Sequence, residues 1–80
     1  MELRTGQDAA GAWKVLEALI VEHPDYVPAY APAGELLVQL GRRADARDLY
    51  ARGIEVTGRR NDVHAREHIE ALLAQVEGDG

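Results

Sequence analysis

Apolar residues recur three and four positions apart in four stretches of this chain, and no stretch alternates with a period of two. The first spacing lines one face of a helix; alternation would line one face of a strand. The pattern therefore predicts helices and no sheet. From about Asp8 to Glu22, Trp13, Leu16, Leu19 and Ile20 form one apolar face, and Val15, Ala18 and Val21 carry apolarity well around the cylinder. After Asp8 only Lys14, Glu17 and Glu22 are charged there, so this helix expects cover on more than one side. Asp8 suits its N-cap and Gly6 the loop before it. The His23-Pro24 junction ends it, because a residue before proline avoids the helical region.

A second helix is expected from about Pro28 or Ala31 to Leu40, closed by Gly41 in the left-handed conformation. Pro28 suits a first helical position. Pro32 would then remove a backbone donor in the second turn, so either the helix starts near Ala31 or its first turn is distorted. A third helix is expected from Ala44 to Thr57, with Leu49, Tyr50, Ile54 and Val56 apolar and Gly58 closing it. Asp45 and Asp48 near its start favour the helix dipole. The fourth runs from about Val63 to Val76, capped by Asn61 or Asp62, with a stripe of Ala65, Ile69, Leu72, Leu73 and Val76. Gly78-Asp79-Gly80 reads as a frayed tail.

The helices repeat. Shifting the sequence by 34 positions places Ala12 on Ala46, Leu16 on Tyr50, Leu19 on Gly53 and Ile20 on Ile54. The first helix is thus equivalent to the third. Between Tyr30 and Gly58, small residues (Ala33, Gly34, Ala46, Gly53) and large ones (Tyr30, Leu37, Tyr50) fall at fixed offsets. Small residues permit close helix approach, and large ones fill the remaining space. This period and this order resemble the tetratricopeptide repeat (TPR). The Pro24 to Tyr30 link, P-D-Y-V-P-A-Y, is also TPR-like. The chain departs from the family pattern at Ala33, usually Leu; at Leu37, usually aromatic; at Gly53, usually Ala; and at Gly58, usually Pro. The fourth helix resembles the extra terminal helix of short bacterial TPR proteins.

The resemblance implies an all-α fold: an antiparallel helix-turn-helix TPR stack of about one and a half repeats plus a C-terminal closing helix. Residues 8–22 would be the second helix of a partial repeat, 28–58 a full repeat and 62–77 the closing helix of one domain spanning 1–80. Met1 to Gln7 is too short for a preceding helix. The apolar first helix is then expected either to form a homodimer through Trp13, Leu16 and Ile20 or to belong to the tail of a longer TPR protein.

Composition narrows the function. At 80 residues the chain is one small domain with a modest core. It has no cysteine, so neither disulfides nor thiolate metal ligands are available. Its net charge is −5, and eight of its nine basic residues are arginine. Arg42-Arg43 and Arg59-Arg60 do not sit in a basic stripe with interleaved aromatics, so nucleic acid and anionic membrane are not expected partners. No apolar run spans a membrane and no leader is evident, which points to the cytoplasm; the arginine- and alanine-rich composition fits a GC-rich bacterial genome.

Catalytic chemistry finds little support. Serine and cysteine are absent, and no glycine follows a strand as a phosphate loop requires. His64-Ala65-Arg66-Glu67-His68 matches H-x-x-E-H, an inverted zincin motif, but only 12 residues follow it and a third ligand is lacking. A metal-dependent hydrolase using His64, Glu67 and His68 is the remote alternative; His23, beside Pro24, reads as structural. The expectation is a non-catalytic protein-interaction module without cofactor or metal. In the family, the first helix of each repeat lines a concave groove. Carried onto this chain, the exposed groove positions are Pro28, Ala31, Pro32, Glu35, Val38 and Gln39. They lack a Lys/Arg clamp for a carboxylate, so an apolar or basic segment of a protein partner is the expected ligand.

Overall fold

A computed structural model describes the backbone of residues 5–79 and the side chains of residues 9–78. Within them lie four α-helices: α1 (Thr5–Glu22), α2 (Tyr30–Gln39), α3 (Arg43–Arg60) and α4 (Val63–Asp79). A single 3₁₀ turn, Val27–Ala29, precedes α2. No strand occurs among the described residues. Met1 to Arg4 and Gly80, which entered the sequence reading, lie outside them.

Three helix ends differ from expectation. Asp8 is not an N-cap: α1 is already helical from Thr5, whereas a cap residue leaves the helical region. Gly6 does not form a loop, because one glycine lowers helix stability by only about 1 kcal/mol and no proline stands nearby. Gly58 does not close α3; the helix continues to Arg60 and ends on Asn61, whose φ is 57°. Asn61 N–H donates to Gly58 O at 3.3 Å and Asp62 N–H to Thr57 O at 2.9 Å, a Schellman closure. Arg59 and Arg60 in the last turn favour the extension through the helix dipole. At the far end, Gly78 and Asp79 are helical rather than frayed, which lengthens α4 past Val76.

Other ends follow the sequence. α1 stops at Glu22, and Tyr26 N–H donates to His23 O at 2.9 Å across the Pro24-Asp25 turn. Gly41, at φ 78°, closes α2 with Arg42 N–H on Leu37 O at 2.8 Å and Gly41 N–H on Val38 O at 3.0 Å. The proline problem is solved by dividing the segment. Pro28 sits in the 3₁₀ turn, and Pro32 takes the third position of α2, where a backbone donor has no intrahelical acceptor to lose. Asp62 caps α4, accepting Ala65 N–H on Oδ1 at 3.2 Å.

Asn61 gives a direct test of this closure. Asn61→Ala keeps the β-carbon in the left-handed region but removes the short polar side chain that lets asparagine tolerate it, and is expected to cost up to about 1 kcal/mol, whereas Asn61→Gly also removes the β-carbon and should be at least as stable as the parent. Urea unfolding of the two variants reads the difference; equal losses would remove the left-handed geometry as the cause.

The core runs where α2 meets α1, α3 and α4. Tyr30, Ala33 and Leu37 of α2, Ala46, Leu49, Tyr50 and Val56 of α3, Ile20 of α1, and Ile69 and Val76 of α4 are buried in it. Trp13, Leu16, Leu19, Ile54, Ala65, Leu72 and Leu73 pack around the edge. Gly34 and Gly53 set the spacing of α3 against its neighbours. A β-carbon on Gly34 would run into the Tyr50 ring, and one on Gly53 would lie 3.1 Å from Tyr30 Cβ and 3.2 Å from Ile69 Cδ1. Two of the buried hydroxyls find backbone acceptors: Tyr30 Oη donates to Pro24 O at 2.5 Å and Thr57 Oγ1 to Ile54 O at 2.8 Å. The first of these bonds ties the link between α1 and α2 to the core. Asp25 in that link pairs with Arg59, exactly one repeat period later in the chain, at 3.4 Å; both are exposed, so the pair adds little stability.

Candidate functional site

One helix of 3.6 residues per turn cannot bury all of its faces at once, and α2 divides cleanly. Tyr30, Ala33, Gly34 and Leu37 are buried. Pro28, Pro32, Glu35, Val38 and Gln39 are exposed, and Ala31 is half-buried. The six positions assigned to a groove therefore lie along one strip, opposite the helix's core-facing residues. Its chemistry is set by two prolines, Ala31 and Val38, with one carboxylate and one amide. The prolines offer rigid apolar surface and no donors. Glu35 supplies the strip's charge, and Gln39, one turn further on, supplies both donor and acceptor.

Glu35 also reaches electrostatically into the core. Burial pushes the Tyr50 phenol up to about 12, and the negative charge of Glu35 adds to the shift. Tyr30 is likewise raised, first by burial, with Arg52 and Arg59 opposing and Asp25 reinforcing. Both phenols thus stay neutral at physiological pH and act as packing groups.

The other sequence candidates fall elsewhere. Of the residues expected to face a second copy, Ile20 is 3% exposed within the chain's own core, and Trp13 and Leu16 pack against it. The apolar side chains that α1 leaves outside are Val15 and Val21, at 69% and 73% exposure. His64, Glu67 and His68 are exposed on α4. Among the described residues no group of three His, Cys, Asp or Glu side chains is placed to hold a metal ion. No helix among them is long and apolar enough to cross a membrane.

The sequence reading missed a cleft between α1 and α3. It encloses about 260 Å³, and its walls include Trp13 and Glu17 from α1 and Asp48 and Leu49 from α3. Both helices pack on α2 and scarcely on each other, so Leu37 of α2 is left as part of the floor. Its clearest sequence signal is Trp13, a large side chain on a helix already over-supplied with apolar residues.

No family model and no curated protein matches this chain. Among solved structures it is similar to a tetratricopeptide repeat domain protein from Salinibacter ruber, determined in solution by NMR. The two superpose with a TM-score of 0.84 at 34% identity, over 89% of this chain and 72% of that one. The chain belongs to the tetratricopeptide repeat family. The fold is all-α, and it is that of a protein-interaction scaffold, typically non-catalytic.

Proposed function

We propose that this chain is a non-catalytic TPR module that binds a segment of a protein partner along the exposed strip of α2. The supporting observation is the division of that helix. Pro32, Glu35, Val38 and Gln39 of α2, with Pro28 in the turn before it, stand in solvent while the opposite residues fasten α2 into the core. A ligand there meets a surface already held in shape, so little ordering cost falls on the protein. Apolar side chains of the segment would lie on Pro32 and Val38. A lysine or arginine would meet Glu35, and a backbone or amide group would meet Gln39. This favours apolar segments carrying a basic residue, in an extended or helical form.

Selection of binders from a displayed random peptide library tests the proposal. The enriched peptides are expected to combine apolar residues with a basic one. Glu35→Lys should weaken them at least roughly tenfold, since it replaces a charge-assisted contact with a like charge. Gln39→Ala should weaken them less. If no enriched peptide loses affinity on either substitution, this surface is ruled out.

A further inference from the structure

The cleft between α1 and α3 lies on the side of α2 opposite the strip, since Leu37 in its floor belongs to the buried face. Its chemistry is layered. Ile20, Leu37 and Leu49, each under 5% exposed, make an apolar floor. Trp13 forms one wall. Glu17, Asp45, Asp48, Arg42 and Arg52 make the rim. Arg42 is already committed: its guanidinium carbon lies 5.5 Å from the centre of the Trp13 ring, and its Nε donates to Asp45 Oδ2 at 2.8 Å. That contact neutralises Asp45 and places a guanidinium against the indole. Among the described residues neither Glu17 nor Asp48 makes an ion pair. Arg52 is the other rim cation, so the two carboxylates outnumber the charge left to meet them.

We infer that this cleft is a second docking site, which receives an arginine side chain from a basic segment of a protein partner. The long aliphatic stem of arginine suits the floor of Ile20 and Leu49, and its planar fork suits carboxylates at the rim. Charge complementarity selects this occupant, locally through Glu17 and Asp48 and globally through the net charge of −5. Val21 selects a segment over a small free cation. It lines the cleft yet is 73% exposed, and a neighbouring apolar residue of the same segment would cover it.

Trp13 is the chain's one tryptophan, so its fluorescence reports occupancy of this cleft directly. The probe is the peptide acetyl-Ala-Leu-Arg-Leu-Ala-amide, titrated at low salt beside the same peptide with citrulline in place of arginine. The arginine peptide is expected to give a saturable change that weakens roughly tenfold for the citrulline peptide and for Glu17→Gln with Asp48→Asn together. Glu35→Lys should leave it unaltered, which separates this site from the α2 strip. Both neutralised carboxylates are exposed, so the fold should survive their loss. No saturable change, equal binding of the citrulline peptide, or indifference to the carboxylate substitutions would each overturn the inference.

Discussion

Replacing Gly34 by alanine is expected to destabilise the fold by about 2 kcal/mol, although alanine is the better helix former by about 1 kcal/mol. The new methyl would enter the Tyr50 ring, with Cδ1 at 2.8 Å and two other ring carbons closer still. Tyr50 cannot swing aside: it is 1% exposed and walled in by the core. The strain must be met by separating α2 from α3, and overpacking of this kind costs about 1–3 kcal/mol. The upper part of that range applies, because a rigid buried ring, not the free end of a flexible chain, is in the way. Gly53→Ala provides the contrast. Its methyl would meet Tyr30 and Ile69 at 3.1–3.2 Å, a contact that small shifts can relieve, so strain and propensity gain should cancel to within about 1 kcal/mol. Urea unfolding would show a lowered midpoint at constant slope for the first variant and little change for the second. A Gly34→Ala variant as stable as the parent would mean that α2 and α3 are not held at this distance.

Leu37→Ala should have a still larger effect. Leu37 is 1% exposed at the point where α2 supports both α1 and α3, and it forms part of the cleft floor. Truncating a buried leucine removes about 2–5 kcal/mol, partly through the cavity left behind. Domains of this size hold roughly 4–12 kcal/mol in all. The variant is therefore expected to lose much of its cooperative transition on heating, followed by circular dichroism. Leu37→Met, which conserves volume, should lose less than about 1.5 kcal/mol. Similar losses from both would show that filled volume at this position does not decide stability.

The family was legible because its determinants are local in sequence. Tyr30, Gly34, Leu37, Ala46, Tyr50 and Gly53 lie within one repeat length, and each is small or large for a packing reason that the structure bears out. Gly41 was legible for the same reason, since a glycine after an apolar turn invites a left-handed closure. Gly58 misled because asparagine can take that conformation too. Once Asn61 does so, two arginines extend α3 favourably past the glycine. Asp8 misled because a good cap residue is not used where the helix has already begun. The exposure of the α2 strip follows from the helix's buried face and so from its spacing, whereas its reading as a groove rests on the family resemblance. The cleft could not, since Trp13, Arg42 and Asp48 are brought together only by the packing of α1 and α3 on α2.

The most direct test of the proposed function is amide chemical-shift mapping of the ¹⁵N-labelled chain with a peptide taken from the library selection. The largest shifts are expected at residues 28–39, along Pro28, Ala31, Pro32, Glu35, Val38 and Gln39, with the prolines read through their neighbours. If none of the selected peptides moves residues 28–39, their shifts gathering instead on α4 or between α1 and α3, the assignment of α2 as the docking surface is contradicted.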